Sequence, residues 1–118
     1  MTVKEVAEKL SLQALAGSDG LDREVTGCYA GDLLSWVMAR AQSGDIWLTV
    51  MGNVNAIAVA SLTDSACILL TESAALDEDA RARAEQQEIP VLTTGENTYQ
   101  MAVQIAALLS NTKPENRE

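Results

Sequence analysis

Histidine is absent from the chain, and that one absence removes several chemistries together. No Ser-His-Asp or Cys-His nucleophile pair can form, and no His-ligated zinc centre. Cysteine occurs only twice, as Cys28 and Cys67, each in an apolar, strand-like run and neither in a CxxC. Two thiols cannot fill the four positions of an iron–sulfur cluster, so the expectation is two reduced core cysteines and no such cluster within one chain. A cluster shared between two subunits is the alternative reading of the pair. Cations are also scarce: eight Lys and Arg stand against seventeen Asp and Glu, for a net charge of −9. Scattered over such an acidic surface they form no basic stripe, which argues against nucleic acid as a partner. Long apolar runs are missing too. None is longer than the run at residues 56–60 (AIAVA), far short of the ~18 residues of a membrane span, so no membrane partner is expected. Met1 to Glu5 lead into an amphipathic helix without a signal-type apolar segment, and a cytoplasmic location follows as an expectation.

What is present reads as one domain. At 118 residues and 47% hydrophobic, the chain is long enough for a core but short for two domains. Thr2 and Glu5 have the spacing of a capping box before a first helix with Val3, Val6, Ala7 and Leu10 on one face. A short strand at 13–16 ends in Gly17-Ser18-Asp19-Gly20, a turn cluster. The pattern then predicts a strand over 24–29, and a helix over 33–42 with Asp32 as its N-cap and Leu33, Leu34, Val37, Met38 and Ala41 inward. A central strand follows at 46–51. The helix at 54–62 is apolar on nearly all sides, so it is buried deeply or covered by another subunit. Further elements are an apolar strand at 66–70, a polar helix at 77–88 with Ala80 and Ala84 inward, a strand at 90–93 and a last helix capped by Asn97 or Thr98, with Ala102, Ile105, Ala106 and Leu109 inward. Residues 1–110 form the domain and 111–118 a polar tail. Strands alternating with helices at this spacing argue for a single three-layer α/β domain, a mostly parallel sheet flanked by helices.

The stretch 21–35, LDREVTGCYAGDLLS, resembles the DRTGG domain family in its stand-alone form, similar to the N-terminal domain of HPr kinase/phosphorylase. Asp22-Arg23 and Thr26-Gly27 carry the resemblance, together with Gly31-Asp32-Leu33-Leu34-Ser35, Asn55-Ala56-Ile57-Ala58-Val59-Ala60 and Ile89-Pro90-Val91-Leu92. It extends from the first helix to the last. The name-giving run is not literal: Asp22-Arg23 is followed by Glu24-Val25-Thr26-Gly27. The resemblance implies a fold like the N-terminal domains of HPr kinase and the MurF-type ligases, and a module that is generally not the catalytic part. Short relatives encoded near iron-hydrogenase or redox-complex genes imply an accessory role in such a system as an alternative, with a larger enzyme or redox complex as partner.

Ligands of open α/β sheets gather outside the carboxyl ends of the strands. Here those ends offer Asp32, Ser35, Thr49, Asn53, Asn55, Thr71, Thr93 and Thr94, which could bind a nucleotide or other anionic ligand through hydroxyls, amides and helix N-termini. The same residue types also serve as caps and turn formers. In the signature loop of Asp22, Arg23, Thr26 and Gly27, Arg23 could grip an anion. Alternatively, Asp22 bonds turn amides and Arg23 ties the loop to a nearby acid. The phosphate-binding GxxxxGK[ST] loop and the dinucleotide GxGxxG are both missing, and no catalytic or metal-binding residue is assigned. The sequence therefore reads as a non-catalytic regulatory, ligand-binding or interaction module that forms a homodimer, with Trp36, Val54 and Ile57 as interface candidates. A redox accessory protein is the first alternative. A small phosphotransferase-like enzyme with Asp32 as base is the second.

Overall fold

The computed structural model describes residues 1–110; the tail expected at 111–118 lies outside the described residues. Elements follow in the order α1 (Val3–Lys9), β1 (Gln13–Ala16), a 3-10 turn (Ser18–Gly20), β2 (Gly27–Ala30), α2 (Leu34–Arg40), β3 (Asp45–Thr49), α3 (Val54–Thr63), β4 (Cys67–Leu70), α4 (Glu78–Gln87), β5 (Val91–Thr93) and α5 (Thr98–Ser110). One five-stranded sheet has the order β1-β5-β4-β3-β2, with β1 antiparallel to β5 and the other pairs parallel. The expected three-layer α/β domain is what the chain forms.

The topology follows from handedness. Strands β2 to β5 lie side by side in chain order, and right-handed crossovers place all three linking helices on one face. There α2, α3 and α4 enclose Val37, Trp47, Ala56, Ile57, Ala60, Ile68, Ala80 and Ala84. The other face is covered by α1 and α5, which enclose Val3, Val6, Ile46, Leu48, Cys67, Leu69, Met101 and Ile105. Strands β3 and β4, apolar and flanked on both sides, are buried along their whole length. Ala80 and Ala84 are fully buried, so the expected alanine face of α4 does pack inward.

Local signals set several termini. The capping box forms: Thr2 N–H donates to Glu5 Oε1 at 2.8 Å, and Glu5 N–H to Thr2 Oγ1 at 3.2 Å. That backbone bond is the chief reason the Glu5 carboxyl lies below its ordinary value. Asn53 caps α3 through Ala56 N–H at 3.0 Å, and Asn97 caps α5 through Gln100 N–H at 2.8 Å.

Four expectations need correction. The strand expected at 24–29 begins only at Gly27, because Glu24 bridges to Thr2 and Val25 N–H donates to the Met1 carbonyl. Asp32 does not cap α2; Leu33 occupies the N-cap position and supplies no side-chain bond. Of the stripe proposed for α2 only Val37 is buried, while Leu33 and Met38 are exposed, because α2 sits at the sheet margin with one helix neighbour. In α5 the inward residues are Met101, Ile105 and Leu109, and Ala106 is exposed.

Candidate functional site

The strand ends divide the predicted polar residues between two faces. Thr49 lies level with Leu70 and Thr93 across β3, β4 and β5, and alternation along a strand sends Thr71 to the opposite face. On the α2–α4 side, Asp32 Oδ1 accepts from Thr49 Oγ1 at 2.7 Å and from Val50 N–H at 3.0 Å. Thr49, itself buried, accepts from Met51 N–H at 3.1 Å. On the α5 side, the buried Thr71 hydroxyl meets that of Thr98 at 2.8 Å. Thr94 Oγ1 accepts from Glu96 N–H at 3.2 Å. Ser35 and Asn55 are exposed on the first turns of α2 and α3, Thr93 is half-buried, and none of these three side chains has a hydrogen-bond partner among the described residues.

Glu72 and Ser73, which follow β4, both take the left-handed conformation, at φ 58 and 57. Their amides reach across to Glu96 O at 2.8 Å and Thr94 O at 2.9 Å, fastening one carboxyl-end loop to the next. These loops are thus braced by the side chains and amides that a ligand would otherwise engage. Asp32→Ala removes the acceptor of two bonds and is expected to cost about 1–2 kcal/mol, below the full value of a charged hydrogen bond because Asp32 is exposed. Asp32→Asn, which keeps an acceptor oxygen, is expected to cost about half as much. Urea denaturation of both variants measures the difference, and equal losses would contradict this role.

The signature loop lies at the other end of the sheet, beside the amino ends of β3 and β4. Arg23 Nη1 donates to the Ser65 carbonyl at 3.4 Å and stands 3.9 Å from Asp64 Oδ1. Asp64 caps α3 in the left-handed conformation and accepts from Ser43 Oγ at 2.6 Å. Thr26 donates through its hydroxyl to Ser43 O at 3.1 Å and through its amide to Gly44 O at 2.9 Å. Gly44 has φ +85, and a Cβ there would lie 2.3 Å from Thr26 Oγ1. Gly27 keeps room for the carboxylate of Asp45, whose Oδ1 would be 2.6 Å from an added Cβ. Arg23, Glu24, Thr26, Ser43, Gly44, Asp64 and Ala66 line an open cavity of 320 Å³, in which two acids accompany the one cation. Arg23 therefore ties the loop to the end of α3. Asp22 is exposed with no hydrogen-bond partner among the described residues, so the bonding to turn amides foreseen for it is not made. It borders a second cavity of 450 Å³ with Thr2, Lys4, Ser18, Asp19 and Leu21.

The cysteines are not both core residues. Cys67 is buried, but Cys28 is exposed on the edge strand β2. Both flank Ile46 in one row of the sheet, so two strand spacings, roughly 9–10 Å, separate them. That exceeds the ~7 Å Cα limit for a disulfide. Burial pushes the Cys67 thiol up to about 12; partial desolvation of the sulfur and then the Asp45 charge push Cys28 up to about 11. Alkylation of Cys28 at about pH 8 is expected to run roughly tenfold slower than that of a free thiol, since the hundredfold smaller thiolate fraction is partly offset by higher nucleophilicity. Iodoacetamide kinetics read by mass spectrometry check this, and a rate equal to that of glutathione would contradict it. Among the described residues no group of three or more Cys, Asp or Glu is arranged to hold a metal ion, and no helix is long and apolar enough to cross a membrane.

The interface candidates also separate. Ile57 is 1% exposed and belongs to the core under α3, and Val54 is half-buried. The chain's own α2 and α4 pack along α3 and bury Ala56, Ile57, Val59 and Ala60, while Asn55, Ala58, Ser61 and Leu62 stay exposed. Trp36 is 55% exposed, with Arg40 stacked 4.1 Å over its ring. Periodicity gave no sign of two features beside it, the open edge of β2 and the uncharged outer face of α5.

A mostly parallel sheet sandwiched by helices, with its polar ends partly braced from within, defines a three-layer α/β module. The DRTGG domain model matches residues 5–108, and the chain belongs to the DRTGG domain family. Among solved structures it is similar to the CBS and DRTGG domains of the regulatory region of Clostridium perfringens pyrophosphatase, complexed with the activator diadenosine tetraphosphate. The TM-score is 0.63 at 15% identity, over 87% of this chain and 44% of that one. The chain therefore spans less than half the length of that neighbour. No curated protein matches it.

Proposed function

We propose that the chain is a non-catalytic regulatory module that works by binding and association: it self-associates as a homodimer and acts on a larger partner enzyme. One observation carries this reading. Asp32, the residue best placed to act as a base, holds Thr49 and Val50 N–H instead, and the Thr71 and Thr94 hydroxyls are likewise engaged within the chain. With no histidine in the sequence and both thiols raised well above neutrality, neither a His-activated hydroxyl nor a ready thiolate is on offer among the described residues. The pyrophosphatase neighbour, in which a DRTGG domain belongs to a regulatory region solved with a dinucleotide activator, supports regulation as the class of function. It also makes nucleoside polyphosphates the first ligand class to try.

The test is a thermal-shift and calorimetric titration with diadenosine tetraphosphate, ATP and inorganic pyrophosphate, with the mass of the assembly recorded in parallel. A saturable stabilisation by one of them, or a stable homodimer, is expected. A monomer that none of them stabilises at millimolar concentration would contradict the proposal.

A further inference from the structure

The two edges of the sheet are treated differently. Exposed edge strands invite pairing with other chains, and folds restrain them with bulges, charges or covering elements. At β1 the ladder is irregular between Ala14 and Ala16, and the Leu15 carbonyl accepts from Arg81 Nη1; a bulge and a cation guard that edge. At β2 neither is present. The register with β3 is regular from Gly27 to Ala30, and residues 25–31 contain no charge and no proline. Gly31 N–H donates to the Leu48 carbonyl at 3.1 Å. Alternate residues of a parallel ladder face the same neighbour, so the peptide groups of Cys28 and Ala30 point outward, to the open edge.

Both helical layers continue this edge as an apolar wall. The crossover from β2 to β3 puts α3 on one side of α2. With Val37 directed at the sheet, a rotation of about 100° per residue turns Met38 towards α3 and carries Leu33 and Trp36 to the opposite side, over β2. On the other face α5 lies under β2 and β3 and starts from the carboxyl end, where Thr98 meets Thr71. With Ile105 inward, the same rotation sends Tyr99, Ala102 and Ala106 to the β2 side and Gln104 away from it. Leu33, Trp36 and Tyr99 are 60%, 55% and 73% exposed, and α5 has no charged residue in its thirteen. On a chain of net charge −9, this is a face that two copies can bring together without opposing carboxylates.

We infer that the β2 edge, flanked by Leu33 and Trp36 above and by Tyr99 and Ala106 below, is a two-fold interface between two copies of this chain. An antiparallel β2–β2 pair is self-complementary, as a two-fold contact requires. It joins the two sheets into one and satisfies the outward groups of Cys28 and Ala30. With aromatic side chains carrying about 150–250 Å² each, Trp36 and Tyr99 at their exposures supply roughly 300 Å², over a third of the ~800 Å² per partner in a standard interface. The β2 backbone, Leu33, Ala102 and Ala106 extend that area. This assignment rests on the self-association proposed above and gives it a surface.

Sedimentation velocity on the full chain and four variants tests it. Wild type is expected to be a dimer at tens of micromolar. Ala30→Pro removes only an outward N–H, leaves the Gly31–Leu48 bond, and is expected to fold yet raise the dimer dissociation constant at least about a hundredfold. Trp36→Glu and Tyr99→Glu, at exposed positions, are expected to do the same without touching the backbone. Leu62→Glu, exposed at the end of α3, is expected to leave the dimer intact. A wild type that stays monomeric at about 100 µM overturns both the surface and the self-association. A dimer that survives Ala30→Pro and Tyr99→Glu overturns the surface and leaves self-association standing.

Discussion

Gly17→Ala is expected to lower the melting temperature by about 8–20 °C, one of two large effects that follow from the backbone and core. Gly17 has φ +72, and a Cβ there would lie 1.9 Å from the Ile89 carbonyl oxygen. Both costs act together: about 1–2 kcal/mol for a left-handed non-glycine residue and about 1–3 kcal/mol for overpacking against backbone that cannot withdraw. For a domain of this size each kcal/mol shifts the midpoint by about 4 °C. The turn that Gly17 opens, closed by Gly20 N–H on the Gly17 carbonyl at 2.9 Å, delivers the chain to the signature loop. Gly95→Ala is the contrasting control. Its Cβ would meet only Ser73 Oγ, at 3.5 Å, and the change is expected to be neutral or to stabilise by up to about 1 kcal/mol. Thermal denaturation followed by circular dichroism compares the two, and similar midpoints would refute the steric argument.

Trp47→Ala is the second. Trp47 is fully buried in β3, and its Nε1 donates to the Gly31 carbonyl at 2.9 Å. Truncation should cost about 3–5 kcal/mol from the cavity, with a further ~1 kcal/mol or more because the Gly31 carbonyl loses its donor. Trp47→Phe keeps most of the packing and is expected to cost about 1–3 kcal/mol. That bond holds the turn just before Asp32, so the Phe variant should also loosen the Asp32–Thr49 contact. Faster exchange of the Val50 amide in hydrogen-exchange experiments would report it. An unchanged Val50 amide would show that the two bonds are independent.

The fold was largely legible because its signals are local. Residues 46–51 and 66–70 read as strands from their apolar runs, and strands form there over Asp45–Thr49 and Cys67–Leu70; Thr2 and Asn97 announced helix starts that they do cap. Local pattern failed where distant chain decided the outcome. Asp32 has the look of a cap, but Thr49 and Val50, far along the chain, take its carboxylate. Glu24 and Val25 have the look of a strand, but the N-terminal residues pair with them first. The candidate site was legible only in part. Sequence supplied the right residue types at the strand ends without showing that Asp32, Thr49, Thr71 and Thr94 are engaged within the chain while Ser35, Asn55 and Thr93 have no partner among the described residues. Nor could it show that Arg23 and Thr26 lie at the opposite end of the sheet from Asp32 and Thr71. Trp36 was recognisable as a marginal side chain; the β2 edge beside it becomes visible only once strand order is known.

The claim that this module works without chemistry of its own is tested most directly by phosphorus NMR of the concentrated wild-type chain with ATP, pyrophosphate and diadenosine tetraphosphate, followed over hours. Spectra that keep every substrate resonance, shifted or broadened by binding at most, are the predicted result. New product resonances that grow with the wild type and vanish with Asp32→Asn would contradict it and make Asp32 a catalytic base.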